Sequence, residues 1–280
     1  LYLPARRDTA VIFASPHSGR DYPRALLDAT LLDELAIRSS EDAFVDRLFG
    51  AAPQAGAPLL AARRPRAWVD LNRAPDELDP ALIEGVGRGG INPRVNSGLG
   101  VIPRVVANGR QIYRGRLPRI EADRRLAETW HPYHAALRLL IEQSRAAFGQ
   151  AIVIDCHSMP HEAIEAHCRP GDRVPEIVLG DRFGAAAAGA VMHRVESAFQ
   201  RAGFRVARNS PFAGAYVAQA YGRPSRGQHV IQVEVDRALY MDETRLIPHP
   251  DFEDLRTRLA AVTAEISAIG RQGGLGLAAE

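Results

Sequence analysis

The chain has few cysteines, no lysine and no long apolar segment. Its 280 residues contain two cysteines, Cys156 and Cys168. Their spacing would allow a disulfide, and two free thiols in a reducing compartment are the simpler interpretation. No apolar segment approaches the roughly 18 residues that would indicate a transmembrane helix, and no charged-then-apolar leader precedes the first motif. We therefore expect a soluble, cytoplasmic protein with no membrane partner.

The chain also has almost no excess of positive or negative charge. The formal net charge is +2 at pH 7, and although the sequence pI is about 8.7, basic and acidic residues alternate without a long basic run. We therefore expect no nucleic-acid partner. The absence of lysine is attributed to base composition and carries no functional weight. A chain of this length and polarity suits one large domain, and we predict a single catalytic domain over residues 1–280.

Short apolar runs alternate with longer helical patterns, which is typical of an α/β protein. The predicted strands are 9–15, 57–62, 67–71, 151–155 and 228–240, and the predicted helices are 31–52, 125–148, 185–204 and 251–270. The segment 74–118 interrupts this alternation with glycine, proline and asparagine. Because it also contains apolar residues that could be buried, we predict a partly ordered excursion near the site. The tail 271–280 is predicted to fray.

Two histidines follow predicted strands. In AIVIDCHSMP (151–160) strand alternation places Asp155 and His157 on the same face, and in SPHSGRDYP (15–23) His17 lies in the turn after the first strand. Ligands of α/β sheets bind beyond the carboxyl ends of strands. The pair is therefore a candidate metal site. Asp155 could orient a ligand histidine or cap the following turn, and the sequence does not choose between these roles.

A third ligand would come from SSEDAFVDRLF (39–49). Ser39 or Ser40 could cap a helix whose first turn contains Glu41 and Asp42, and the helix dipole alone would explain these acids. Zinc in hydrolytic sites commonly takes three His or carboxylate ligands. Asp42 is preferred over Glu41, with little to separate them.

Two further segments could supply a substrate clamp and a base. In RRPRAWVDLNRAP (63–75), Asn72 and Arg73 follow a predicted strand, and an amide beside a guanidinium suits an acidic substrate. A surface ion pair is the simpler alternative for this segment. In QHVIQVEVDRALYMDE (228–243), apolar residues alternate with Gln232, Glu234 and Asp236. Glu234, in the middle of the polar face, is the candidate general base.

Taken together, these segments resemble the N-formylglutamate amidohydrolase family of the zinc carboxypeptidase-like clan. The resemblance covers nearly the whole chain, in the segments SPHSGRDYP, EDAFVDRLF, DLNRAPDELDP, WHPYHAAL, IDCHSMP, IVLGDRFG, NSPFAGAYV and HVIQVEVDRALYMDE. It implies an α/β fold with three layers, α/β/α, around a mixed, largely parallel central sheet of the zinc-carboxypeptidase type. One departure is Ala215 after Gly214, where many family members have two glycines.

The resemblance also implies residue roles. It implies metal ligands at His17, His157 and the acid of EDAFVD, most like Asp42, with Zn²⁺ or another divalent ion as cofactor. Glu234 would be general base and acid, Asn72 and Arg73 would bind the substrate carboxylate, and Arg66, with Arg64 as alternative, would stabilise the oxyanion. Arg104, Arg223 and Arg226 remain open as readers of a distal carboxylate.

The activity expected from this resemblance is metal-dependent hydrolysis of N-formyl-L-glutamate to formate and L-glutamate, which belongs to histidine catabolism. The partner would be a small acidic N-acyl amino acid. The alternatives are a deacylase or carboxypeptidase for another N-acyl amino acid or cell-wall peptide, and a non-catalytic metal-dependent binding protein.

Overall fold

The computed structural model describes residues 1–87, 92–169, 171 and 173–271. The predicted frayed tail lies outside the described residues from 272 onward, as does the part of the excursion at 88–91. The chain groups into two compact units. The sheet unit comprises Leu1–Ser15, Phe44–Ala61 and the chain from Leu137 onward, and the loop unit comprises Pro16–Ala43 and Ala62–Ala136. The single domain over 1–280 stays a prediction.

Six strands form one mixed sheet in the sheet unit. Its strands are β1 (Val11–Ser15), β2 (Leu59–Ala61), β3 (Ala151–Met159), β4 (Ile177–Gly180), β5 (Val206–Arg208) and β6 (Gln228–Asp236), and a separate hairpin has β7 (Met241–Asp242) and β8 (Ile247–Pro248). The strand order is β2-β1-β3-β6-β4-β5, and only the β4–β6 pairing within this sheet is antiparallel. The prediction of a mixed, largely parallel α/β fold is confirmed.

β1 is mainly apolar and β3 begins with four apolar residues, as expected for strands of a parallel sheet whose two faces are covered. All five residues of β1 and all nine of β3 are buried. The helices in chain order are α1 (Arg24–Ala29), α2 (Glu34–Arg38), α3 (Val45–Leu48), α4 (Pro93–Asn96), α5 (Arg119–Arg125), α6 (His131–Phe148), α7 (His161–Glu165), α8 (Gly189–Arg201), α9 (Tyr216–Tyr221) and α10 (Phe252–Ile269). Within the sheet unit α10 contacts β1, α3 and α8, and α9 contacts β6. Among the described residues, no helix is long and apolar enough to cross a membrane.

The loop unit is built mainly from turns around a small core. The excursion predicted at 74–118 is partly ordered where described, because Val101, Ile102, Val105 and Val106 are buried. It contains α4, a 3₁₀ turn at Ala107–Gly109, and a bridge between Ile83 and Leu117. Asp70 N–H donates to the Val101 carbonyl at 2.8 Å, so the excursion packs directly beside the Asn72–Arg73 segment.

A buried arginine holds the core of the loop unit together. Arg125 lies under the Trp68 ring, with its guanidinium carbon 3.6 Å from the ring centroid. It donates to the Tyr113 hydroxyl at 2.7 Å and to Glu121 at 2.8 Å. Burial of a charge is costly unless it is paired and hydrogen-bonded, and Arg125 has both kinds of partner.

Two predicted elements are wrong. The helix predicted over 31–52 is divided into α2 and α3, because Phe44 adopts a left-handed conformation with φ 67° that a helix cannot accommodate. Ser39 ends α2 and does not begin a helix. The strand predicted at 67–71 is a turn in which the amides of Trp68 and Val69 both donate to the Pro65 carbonyl. These backbone hydrogen bonds close a local turn in place of strand pairing.

Candidate metal centre

The register of β3 and β6 brings four polar side chains to one face of the sheet. His157 pairs with Glu234 and Asp155 pairs with Gln232 in a parallel arrangement. Paired residues of adjacent strands point to the same side. All four side chains are buried. Buried polar groups in mid-sheet are costly unless they are hydrogen-bonded, so their placement here indicates a built site.

On β3, the two polar side chains contact each other. Asp155 Oδ2 lies 3.0 Å from His157 Nε2. A histidine held through one ring nitrogen by a carboxylate presents the other nitrogen as a ligand. The orienting role considered for Asp155 is therefore the one that this geometry favours, and Nδ1 is then the nitrogen through which His157 could bind an ion.

On β6, Gln232 links a loop to Glu234. The Ala215 amide donates to Gln232 Oε1 at 3.0 Å, and Gln232 Nε2 donates to Glu234 Oε1 at 2.8 Å. The loop reaches the sheet over Gly180, which pairs with Gln232 from β4. A Cβ at Gly180 would lie 2.6 Å from the carbonyl carbon of Ala213, so glycine is required for this close approach.

In the loop unit, His17 lies between two acids. Its Nε2 is 2.7 Å from Asp70 Oδ1 and its Nδ1 is 3.4 Å from Asp42 Oδ2. The Asp42 amide donates to the His17 carbonyl at 3.1 Å, which fixes the turn containing Asp42 against that containing His17. The three side chains are buried. Nε2 thus faces Asp70, and Nδ1 faces Asp42.

Asp70 is the central anion of the loop unit. It also accepts from Arg66 Nε at 2.9 Å and from the Asn72 amide at 2.8 Å, and Arg73 Nε lies 3.9 Å away. Burial would raise the pKa of Asp70, but Arg66, His17 and Arg73 outweigh it and hold that pKa well below its usual value. An ionised carboxylate can only accept a hydrogen bond, so the contact with Asp70 favours a hydrogen on His17 Nε2.

The choice between Glu41 and Asp42 has a structural basis. Glu41 accepts from the Tyr22 hydroxyl at 2.6 Å and from Arg38 Nε at 3.1 Å, so its carboxylate is engaged away from His17. Burial and the Glu41 charge raise the pKa of Tyr22, which keeps its hydroxyl a donor. Asp42 is the acid whose carboxylate faces the imidazole.

His17, Asp42 and His157 form a buried group that could hold a metal ion. One ligand atom from each residue lies within 4.8 Å of the others. Two imidazole nitrogens and one carboxylate oxygen are a donor set typical of zinc hydrolases, which use three protein ligands and leave a position open. The residues present therefore fit a divalent ion, and they do not specify which one.

The arginines differ in how they are engaged. Arg66 binds Asp70, whereas Arg64 donates to the Asp21 carbonyl and pairs with its carboxylate at 3.1 Å. Arg104 is paired with buried Asp79 at 2.8 Å. Of the two candidates for the oxyanion, the geometry thus favours Arg66.

Arg73 has a hydrogen-bond donor that no residue in the described part of the chain uses. It is buried, and its Nε makes no hydrogen bond to any residue in the described part of the chain. Burial lowers the pKa of Arg73, with the Asp70 charge opposing. The Trp130 indole donates to the Arg73 carbonyl at 2.9 Å and fixes its backbone. A buried guanidinium of this kind suits an anionic ligand.

Comparison with known proteins identifies the family. The family model for N-formylglutamate amidohydrolase matches residues 9–241. The chain belongs to this family. It is 32% identical over 259 residues to the N-formylglutamate deformylase of Pseudomonas aeruginosa, covering 91% of this chain and 90% of that protein. It is 29% identical over 248 residues to the Pseudomonas putida deformylase, covering 88% and 86%.

Solved structures show the same fold. The crystal structure of N-formylglutamate amidohydrolase from Ralstonia eutropha JMP134 superposes with a TM-score of 0.90 at 33% identity, over 97% of each chain. A gene product from Agrobacterium tumefaciens matches with a TM-score of 0.61 at 15% identity, covering 93% of this chain and 92% of that one. The second likeness shows the fold alone.

Two residues of the site had no predicted role. Asp70 falls in the segment 67–71 predicted as a strand, and the structure instead makes it the acceptor that His17, Arg66 and Asn72 share. For Gln232, the sequence predicts a place on the polar face of a strand but no partner. The sequence signal for Asp70 is an acid between Arg66 and Arg73, but nothing local to position 70 indicates a contact with His17.

Proposed function

We propose that this protein is a metal-dependent amidohydrolase that removes the formyl group from N-formyl-L-glutamate. The observation that carries the proposal is the buried His17, Asp42 and His157 group, with Glu234 on the strand position paired with His157. The relatives named N-formylglutamate deformylase support the choice of substrate.

The three ligands would hold a divalent ion, with Zn²⁺ as the first choice. When bound, such an ion polarises a carbonyl and makes an adjacent water more acidic. His17 and His157 would each offer Nδ1, because Asp70 and Asp155 engage their Nε2 atoms. Asp42 would add one carboxylate oxygen.

Glu234 would move the proton. Its carboxylate would accept a proton from water as the water oxygen attacks the formyl carbon. It would then donate that proton to the glutamate nitrogen as the C–N bond breaks, releasing formate and L-glutamate. Arg66 would stabilise the negative oxygen that develops on the formyl group, and such donors typically contribute about 3–4 kcal/mol.

Asn72 and Arg73 would hold the substrate carboxylate. The buried Arg73 side chain and its backbone fixed by Trp130 support this role. Asn72 N–H is used by Asp70, so the amide side chain of Asn72 would make the second contact. A planar guanidinium beside an amide orients a carboxylate more strictly than a point charge does.

The test is hydrolysis by the purified protein, measured as formate release. N-formyl-L-glutamate should be cleaved, a chelator should abolish turnover, and added Zn²⁺ should restore it. Acetyl, succinyl and carbamoyl derivatives of glutamate and aspartate provide the comparison set. Turnover of another derivative at a higher kcat/KM would correct the substrate, and failure to cleave any of them with several metals would refute the enzymatic proposal.

A further inference from the structure

Gln232 is buried at the centre of the sheet and has two strong hydrogen-bond partners. Its side chain is 4% exposed, and its backbone lies in a ladder with β3 on one side and β4 on the other. The two partners are the Ala215 amide at 3.0 Å and Glu234 Oε1 at 2.8 Å. A side chain held at both ends on a rigid strand has little freedom to reorient.

The Ala215 contact fixes which end of the Gln232 amide faces Glu234. A backbone N–H can only donate, so the oxygen of Gln232 must face Ala215. The Gln232 nitrogen, which can only donate, must then face Glu234. Glu234 Oε1 therefore accepts this hydrogen bond, and a proton on Oε1 would remove the negative charge that strengthens the bond.

We infer that Gln232 is a positioning residue that reserves Glu234 Oε1 as an acceptor, so that Oε2 is the oxygen that takes and returns the proton. This inference rests on the proposed function, because it assigns an atom within the proton transfer described above. Fixing one carboxylate oxygen also fixes the direction of the other. General acid–base catalysis depends on such hydrogen-bond geometry at the transferred proton.

A competing explanation is that Gln232 only anchors the loop at Ala213–Ala215. The loop contact uses the amide oxygen of Gln232, and the Glu234 contact uses its amide nitrogen. Gln232→Glu keeps an oxygen that can accept from Ala215 but places an acceptor where Glu234 needs a donor. Gln232→Met removes both hydrogen bonds at similar length. The pair of variants therefore separates the loop contact from the Glu234 contact.

The experiment measures kcat, KM and metal content with N-formyl-L-glutamate. Loss of a hydrogen bond to a charged group lowers a rate by roughly 10- to 100-fold. Both variants should therefore lose kcat by about this factor, while KM and bound metal remain close to wild type. Gln232→Glu should be at least as impaired as Gln232→Met. Gln200→Met, an exposed glutamine on α8, is the matched control and should be unaffected.

A double variant tests whether Gln232 acts through Glu234 or only supports the fold. In a Glu234→Gln background, Gln232→Glu should cause no further loss of kcat, because Gln232 acts through Glu234. A Gln232→Glu enzyme with wild-type kcat, or variants whose activity falls only in proportion to bound metal, would overturn the inference and leave the proposed function intact. A wild-type protein that cleaves no substrate would overturn the proposed function itself.

Discussion

The Nε2 atom of His17 lies 2.7 Å from Oδ1 of Asp70, and the same carboxylate binds Arg66 at 2.9 Å. Asp70 thereby links the orientation of His17, a proposed metal ligand, to Arg66 and Arg73, which the proposed reaction needs. These contacts explain why a carboxylate with a strongly lowered pKa is tolerated inside the loop unit, because His17, Arg66, Arg73 and the Asn72 amide surround its charge.

Asp70→Asn should weaken metal binding. The amide cannot replace both the charge and the acceptor geometry that orient His17, and losing such a partner typically lowers metal affinity by about 10- to 100-fold. Metal affinity measured by competition with a chelator checks this prediction. Asp76→Asn, an exposed acid in the same segment, is the control. Unchanged affinity in Asp70→Asn would show that the His17–Asp70 contact does not support the ion.

His157→Ala should have a larger effect on the metal, because it removes a ligand and not only its support. The expected loss of affinity exceeds the roughly 100-fold upper range for supporting residues. Elemental analysis of the purified variant, compared with His193→Ala at an exposed position on α8, measures this. Full metal occupancy in His157→Ala would contradict the ligand assignment.

Glu234→Gln should retain metal and substrate but lose turnover. The amide preserves the size of the side chain and cannot accept and return a proton, so kcat should fall by about 10²- to 10⁴-fold. Steady-state kinetics and metal analysis together test this, with the exposed Glu165→Gln on α7 as control. A near wild-type kcat would place the general base elsewhere.

Arg73→Ala should mainly raise KM. Removing a charge-assisted contact to the substrate carboxylate costs about 1.5–3 kcal/mol, which corresponds to roughly 10- to 100-fold. The exposed Arg110→Ala in the same unit provides the comparison. If KM for N-formyl-L-glutamate were unchanged while the variant remained folded, Arg73 would have no part in carboxylate binding.

Glu121 should stabilise the protein only above acidic pH. Burial would raise its pKa, but hydrogen bonds from Arg125 and Arg124 lower it below the usual 4.5. A carboxyl with a depressed folded pKa contributes stability above its unfolded pKa, and that contribution is lost as pH falls through the folded pKa. Glu121→Gln should therefore lower Tm at pH 7, by an amount equivalent to roughly 1 kcal/mol or less since the pair is partly solvated.

Thermal unfolding measured from pH 7 down to pH 3 checks this dependence. The Tm difference between wild type and Glu121→Gln should shrink below about pH 4.5, whereas the exposed Glu142→Gln should show little difference throughout. A difference that does not change with pH would show that the Glu121 contacts act by packing and not by charge.

The amino-acid sequence by itself determined the α/β class and indicated that His17 follows the first strand and that His157 lies near the end of β3, which extends to Met159, beyond the predicted end at 155. These follow from local signals: runs of apolar residues of strand length, and polar residues where those runs stop. The family resemblance, carried by short motifs in order, was confirmed by the comparisons. The residue roles within the site remain predictions.

Tertiary structure alone decided which side chains meet. The contact between His17 and Asp70, 53 residues apart, depends on a hydrogen bond between distant segments. The left-handed residue at Phe44 and the turn at Pro65 are local features that the apolar pattern did not indicate. The pairing of His157 with Glu234 likewise depends on strand register, which a one-residue slip would destroy. The periodicity of the sequence predicts the face of a strand on which a residue lies. Which other residue it contacts on that face depends on the tertiary structure.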